Sequence, residues 1–214
     1  RDYGDRTNRK HARMKYLIHD WGIERFRAEL EQRLRYALLD VVPMPAFDLE
    51  LHLGWHRQDT YHWYLGVSVE NGRIQDEAGL QLKSGLRRII ETYRPGIRFT
   101  PNHDILLTEV RTEDKAGVEA LLREYGIQQA DTLSNIQLYS MACPAMPPCG
   151  LALAEAERAL PDVIDHLEQE IARLGLQDER LTVRMTGCPN GCARPYTSDL
   201  AFVGRSLDRY VIYV

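Results

Sequence analysis

Two short stretches, Cys143-Pro-Ala-Met-Pro-Pro-Cys149 and Cys188-Pro-Asn-Gly-Cys192, hold all four cysteines of the chain and decide how its fold and function are interpreted. Five residues separate the first pair and three separate the second. Three kinds of site can use four cysteines in such a pattern: two disulfide bonds, a structural zinc ion, or an iron–sulfur cluster.

These three alternatives differ in what they require of the sequence. Disulfides require an oxidising compartment, which nothing here indicates. Structural zinc sites favour cysteines separated by two to four residues, which only the second pair satisfies. An iron–sulfur cluster accepts looser spacing, and the prolines around Cys143 and Cys149 favour it because they stiffen a loop. Gly187 and Gly191 let the backbone approach a cofactor closely. The spacing alone leaves all three alternatives open.

The composition is that of an ordinary globular chain and excludes several classes of protein. The 214 residues are 44% hydrophobic and 27% charged, which argues against intrinsic disorder. No apolar run reaches the length that a membrane-spanning helix needs, so we expect no membrane partner. A net charge of −4 gives no reason to expect nucleic acid as a partner.

The first half of the chain changes from helical to strand-like patterns. Apolar residues recur at helical spacing from Asp5 to about Tyr36, and Trp21-Gly22 predicts a break between two helices. Alternation predicts strands over Leu49–Leu53 and Trp63–Val69. Asn71-Gly72 predicts a hairpin turn that would pair the second of these strands with the residues around Ile74.

The rest of the chain alternates helices and strands, which predicts an α+β fold. The segments with these patterns are helices at Leu80–Tyr93, Lys115–Tyr125 and from Pro161, and strands at Ile97–Thr100, Ile105–Val110, Leu181–Met185, Leu200–Val203 and Tyr210–Val214.

The cysteine motifs and their surroundings resemble the sulfite and nitrite reductase family. Thr186-Gly-Cys-Pro-Asn-Gly-Cys-Ala-Arg-Pro195 and the run from Ala142 to Arg158 look like that family's sirohaem and [4Fe-4S] signature. The opening run from Arg1 to Tyr16, Gly54-Trp-His56 and Val69-Glu-Asn-Gly-Arg73 also fit, particularly the ferredoxin-dependent sulfite reductases.

The resemblance implies a [4Fe-4S] cluster and a sirohaem as cofactors. It implies that the four metal ligands are Cys143, Cys149, Cys188 and Cys192, and that Cys192 bridges to the sirohaem iron and so takes part in catalysis. Asn190 is a candidate to orient the macrocycle. Arg1 and Arg6 are candidates to pair with the sirohaem carboxylates, because an arginine fork matches a carboxylate.

One segment departs from the family pattern. Thr100-Pro-Asn-His-Asp104 lies where the family has a Thr-x-x-Gln-Asn type of run, and His103 and Asp104 replace its amides. A contact between these two residues and the sirohaem is therefore not carried over.

The resemblance also implies the division of the chain. We expect a helical linker segment over 1–45, a ferredoxin-like half-module over 46–130, and an incomplete α/β iron–sulfur and sirohaem domain over 131–214. Because the chain lacks an initial Met and ends on a strand-like run, we expect it to be truncated at both ends. The basic residues that grip the substrate anion would lie outside it, so the chain alone should be inactive.

The predicted function is the six-electron reduction of sulfite to sulfide by an enzyme of the cytoplasm or the plastid stroma. Its electron donor would be ferredoxin or a flavoprotein reductase. Two alternatives stay open: a nitrite reductase of the same family, and a non-catalytic four-cysteine zinc module.

Overall fold

The computed structural model describes residues 2–8, 11–44 and 51–214. The chain divides into two compact units, residues 1–49 and 50–214, and each is described by itself. Within the described residues, no helix is long and apolar enough to pass through a lipid bilayer.

The first unit contains the two predicted helices, α1 (Met14–Trp21) and α2 (Ile23–Leu34). Gly22, with φ 77°, separates them where the sequence predicted a break. Helix α1 begins later than the apolar spacing suggests. The Asp5 carboxylate accepts the backbone N–H groups of Thr7 and Asn8 at 2.8 and 2.9 Å, and such a local turn competes with a helix start.

The second unit begins with a four-stranded antiparallel sheet in the order β1–β2–β6–β5. Helices α3 and α4 pack on one face, and their apolar residues meet those of β2 and β6 in a single core. The bounds are β1 Gly54–Arg57, β2 His62–Val67, β3 Asp76–Glu77, β4 Leu80–Gln81, α3 Leu82–Tyr93, β5 Gly96–Phe99, β6 Ile105–Arg111 and α4 Lys115–Glu124. This is the predicted ferredoxin-like arrangement within an α+β fold.

The predicted strand at Leu49–Leu53 is wrong over its described part. Leu49 lies outside the described residues, and residues 51–53 form no strand; β1 starts only at Gly54. The residues before β1 cross over β2 instead of pairing in line with it. A Cβ atom on Gly66 would lie 1.9 Å from the His52 carbonyl oxygen, so the crossing depends on a glycine at that position.

The predicted Asn71-Gly72 hairpin is also wrong. Residues Glu70–Gly72 form a 3-10 turn in which Asn71 has φ 50°, and β2 pairs with β1 and β6 instead. Strand β2 forms longer pairings with β1 and β6 than the few residues after Gly72 could provide. The Asn-Gly turn chemistry is present, but it redirects the chain toward a different part of the fold.

The second sheet has the order β10–β9–β8–β7, in which β7, β8 and β9 are parallel and β10 is antiparallel. Helix α6 crosses between β7 and β8 and begins with Pro161 in its first turn, as predicted. The bounds are α5 Asn135–Leu138, β7 Ser140–Ala142, α6 Leu160–Leu174, β8 Val183–Thr186, β9 Leu200–Ser206 and β10 Arg209–Tyr213.

The two sheets of this unit have separate hydrophobic cores. One runs from Leu65 to Ile127, and the other begins at Ile136 and includes Cys143. The proposed division into 1–45, 46–130 and 131–214 remains a prediction.

Candidate functional site

Both cysteine segments leave the same edge of the second sheet. Cys143 follows the last residue of β7, and Gly187-Cys188 follows the last residue of β8. Because β7 and β8 are neighbouring parallel strands, their carboxyl ends lie side by side. The two sequence motifs, far apart in the chain, are therefore brought together by strand pairing.

The first cysteine loop, residues 143–156, is hydrogen-bonded to β8 and to the residue that follows it. The Cys143 N–H donates to the Met185 carbonyl at 3.1 Å. Farther along, the N–H groups of Leu153 and Ala154 both donate to the Gly187 carbonyl, at 2.8 and 3.0 Å. The loop returns to the strand end from which the second cysteine segment departs.

The four thiols are all free and differ in exposure. Cys143 and Cys188 are each only 7% exposed, Cys149 is half-buried and Cys192 is exposed. The site therefore has a protein-covered side and a side open to solvent or to a further ligand, and Cys192 lies on the open side.

Two donors point at the sulfur of Cys143. The Gly187 N–H lies 3.3 Å from its Sγ atom, and the hydroxyl of the fully buried Thr186 lies 3.5 Å from it. N–H and O–H donors of this kind orient a sulfur that serves as a metal ligand. Thr186 belongs to the second cysteine motif, but its residue type and position there did not predict this contact.

The thiols lie within electrostatic reach of one another. Desolvation of its sulfur raises the pKa of Cys192, and the charges of Cys143, Cys188 and Cys149 raise it further. Positive metal centres between the sulfurs would remove that repulsion. In the part of the chain that the structure describes, no three His, Cys, Asp or Glu side chains approach one point closely enough to hold a single metal ion.

The second cysteine loop packs closely against β9 and the first cysteine loop. A Cβ atom on Gly187 would lie 2.6 Å from the Ala154 carbonyl, and one on Gly204 of β9 would lie 2.5 Å from the Gly187 carbonyl. These two glycines let β9 and the two loops come together without a gap. Close approach of the backbone at Gly187 was predicted from its place in the cysteine motif, whereas Gly204 lies in no motif and was not predicted.

Positive charge collects beside the second cysteine loop. Arg194 donates to the Asn102 side chain at 2.7 Å and to the Pro101 carbonyl at 3.2 Å. Burial and the charge of Arg194 lower the pKa of Arg184 to about 10. Burial, followed by the charges of Arg194 and Arg184, also lowers the pKa of His103. This end of the site favours an anionic group.

The remaining predicted site residues are Asn190, Arg6 and Arg1. Asn190 is exposed on the second cysteine loop, between Cys188 and Cys192. Arg6 is exposed in the first unit, and Arg1 lies outside the described residues.

The fold and the site together define a class of α+β protein in which a ferredoxin-like half-module precedes a mixed sheet with four thiols near the carboxyl ends of two parallel strands. Two family models match the chain. Nitrite/sulfite reductase ferredoxin-like half domain matches residues 56–125, and nitrite and sulphite reductase 4Fe-4S domain matches residues 1–38. Neither match includes the cysteines.

Relatives resemble the whole chain. A Synechococcus elongatus protein named sulfite reductase (ferredoxin) is 45% identical over 214 residues, which are 100% of this chain and 34% of that protein. An Afipia carboxidovorans protein named sulfite reductase (NADPH) hemoprotein beta-component is 42% identical, and the match covers 37% of it. The solved structure of Mycobacterium tuberculosis NirA protein matches all of this chain and 40% of its own with a TM-score of 0.79 and 28% identity.

The chain belongs to the sulfite and nitrite reductase family. It spans about a third of the length of the curated relatives that it matches. The resemblance seen in the motifs is thus confirmed for the family.

Proposed function

We propose that this chain is part of an enzyme that reduces sulfite to sulfide, and that it holds the enzyme's [4Fe-4S] cluster and one side of its sirohaem site. The observation that carries the proposal is the meeting of Cys143, Cys149, Cys188 and Cys192 at the edge of β7 and β8, in a chain whose relatives are named sulfite reductases.

The four cysteines fit the cluster better than they fit zinc. Zinc requires four ligands at about 2.3 Å from one point, whereas an iron–sulfur cube holds its cysteines farther apart. In the described part of the chain the thiols interact electrostatically without converging on a single ion position. The donors to Cys143 from Thr186 and Gly187 suit a thiolate ligand.

Cys192 would join the cluster to the sirohaem iron, because its thiol is the exposed one of the four. Asn190, which is exposed on the same loop, would orient the macrocycle. Arg1 and Arg6 stay proposed partners for the sirohaem carboxylates. When bound, the two cofactors supply the six electrons one at a time, and this chain's residues hold and orient them.

Ferredoxin or a flavoprotein reductase is the proposed electron donor, since one relative is named for ferredoxin and others for NADPH. The proposed substrate is sulfite, and the proposed compartment is the cytoplasm or the plastid stroma. Because the chain spans about a third of its relatives, we expect it to be inactive alone.

The cluster is tested by anaerobic reconstitution of the chain with iron and sulfide, followed by iron analysis and visible spectra. We expect the parent to bind about four irons and the Cys188→Ser and Cys192→Ser variants to lose most of them. Leu151→Ala, an exposed position on the first cysteine loop, is the matched control and should bind as the parent does.

Cysteine variants that retain the parent's iron content would overturn the cluster assignment. Stoichiometric zinc uptake with no iron chromophore would instead support the zinc module. Turnover of sulfite and nitrite by the full-length protein then separates the two reductases: faster turnover of nitrite would assign the chain to a nitrite reductase.

A further inference from the structure

The turn at residues 70–73 of the half-module reaches the first cysteine loop at both of its ends. The Asn71 side-chain oxygen accepts the N–H of Ala142, the residue before Cys143, at 2.9 Å. Its side-chain nitrogen donates to the carbonyl of Glu157, just past the loop, at 3.0 Å. One amide thus ties together the beginning and the end of the segment that carries Cys143 and Cys149.

An ion pair reinforces this connection. Glu157 is 6% exposed, and both of its carboxylate oxygens accept from the guanidinium of Arg73, through Nε and through Nη2, the latter at 2.8 Å. A carboxylate that is buried so deeply requires a partner, and a two-point contact with arginine fixes its orientation. Breaking the pair would leave a buried charge at the end of the cysteine loop.

The backbone presents these two side chains in a fixed direction. Asn71 has φ 50° and Gly72 has φ 78°, so the turn bends away from β2 toward the second sheet. The Arg73 N–H donates to the Glu70 carbonyl at 3.1 Å and closes the turn. Once the turn has formed, its backbone directs the side chains of Asn71 and Arg73 toward their hydrogen-bond partners.

We propose that Asn71, Arg73 and Glu157 form a clamp through which the half-module positions the cysteine loop around the cluster. Among the described residues, the hydrogen bonds of these three side chains go to Ala142 and to one another and not to a cysteine, so the three are positioning residues that act through the loop. This inference rests on the proposed function, because the group that the loop would hold is the proposed cluster. The half-module would then hold the two ends of the first cysteine loop in position and so help to retain the cluster.

The test compares full-length holoprotein variants for the rate at which a chelator removes iron, with melting temperature and the EPR spectrum of the reduced cluster as parallel readouts. Asn71→Ala, Arg73→Gln and Glu157→Gln should each release iron about 10-fold faster than the parent or more, the range found for partners that support metal ligands. Arg73→Lys, which keeps the charge but loses the two-point contact, should be intermediate.

Arg111→Gln is the matched control. Arg111 is exposed and pairs at 2.8 Å with Asp114, whose side chain is 15% exposed, on the same half-module, so its loss removes an arginine–carboxylate pair away from the loop. It should release iron at the parent's rate. The Arg73→Gln and Glu157→Gln double variant should be no worse than the worse single variant, because both remove the same pair.

Two results would overturn the clamp while leaving the proposed function intact. One is release of iron at the parent's rate from every clamp variant. The other is faster release in proportion to a fall in melting temperature with an unchanged EPR spectrum, which would make the contacts merely structural. If the parent itself holds no iron, the proposed function fails instead.

Discussion

Asp104 is a carboxylate that the fold holds in an unfavourable environment. It is 5% exposed, and two of its contacts are long: the Val69 N–H at 3.4 Å and the Thr100 hydroxyl at 3.5 Å. Burial raises its pKa from an ordinary 3.8 to about 6, and the hydrogen bonds offset only part of that rise. Asp104 also stands where the resemblance described in the sequence analysis implies an amide.

A pH dependence of stability follows from this shift. Since the folded chain keeps the Asp104 proton up to about pH 6 and the unfolded chain loses it near 3.8, stability falls as pH rises between these values. Asp104→Asn should remove this loss and stabilise the protein at pH 7.5, by at most about 3 kcal/mol. Urea unfolding at pH 5 and pH 7.5 measures both effects.

Asp199→Asn is the contrasting variant. Hydrogen bonds from Thr182 lower the pKa of Asp199, so its ionised form stabilises the fold above its unfolded pKa, and that stability is lost as pH falls. Its substitution should therefore lower stability at pH 7.5. If Asp104→Asn also lowers it, Asp104 is better hydrogen-bonded than its contacts indicate.

Strand β9 packs directly against the start of the second cysteine loop. Gly204 lies so close to the Gly187 carbonyl that any side chain there must push the loop. Gly187 in turn donates to the sulfur of Cys143 and accepts from the first loop. A change in one strand position is thus transmitted to both loops.

Gly204→Ala should accordingly destabilise the fold by about 1–3 kcal/mol through overpacking and weaken iron binding. The measurement is urea unfolding of the chain together with its iron content after reconstitution. Gly150→Ala is the control, since a Cβ there meets nothing within 4 Å and the backbone is not left-handed. Equal stability and equal iron content in the two variants would show that β9 shifts at little cost to accommodate the added methyl group.

Elements whose pattern is local could be predicted from the sequence, and elements that depend on distant partners could not. The apolar spacing located α3, α4 and α6 to within a few residues because a helix bonds within itself. Strand β7 was missed because Ser140–Ala142 is too short to show alternation and forms only by pairing with β8.

The same distinction holds for the site. The four cysteines stand out by residue type and spacing, and the resemblance gave them a proposed ligand role. The contacts of Asn71 with Ala142 and Glu157 join parts of the chain far apart in sequence. Val69-Glu-Asn-Gly-Arg73 was quoted for its resemblance, but its turn chemistry predicted a hairpin, and only the fold reveals what the turn reaches.

At the scale of the whole molecule, the two units differ in how much they bury. Helices α1 and α2 have 8 and 12 residues, and none of these residues is buried. Helix α3, by contrast, buries Leu82, Gly85, Leu86 and Ile89. Short helices without a buried face are marginal in water, so the first unit should open independently of the second.

Amide hydrogen exchange of the 214-residue chain should show this difference. We expect amides in α1 and α2 to exchange about 100-fold faster than those of Leu86 and Ile89 in α3, or faster still. Mass spectrometry of exchanged peptides measures both units in one experiment. Comparable protection in α1, α2 and α3 would show that another surface covers the first two helices.

The meeting of the cysteine segments at adjacent strand ends has a practical consequence. The chain between Cys149 and Cys188 passes through α6 and then through residues 175–180. Each of the residues from 175 to 180 is exposed. The spacing within each cysteine pair is constrained by its loop. The path between the pairs is held at the Gln177 carbonyl, which accepts from the Asn135 side chain at 3.1 Å, and at Arg180, which lies over the Tyr139 ring. Asp178 and Glu179, which are exposed between these two contacts, are therefore a suitable insertion point for an affinity tag or a fluorescent reporter, which would monitor cofactor loading without touching the loops that carry the thiols.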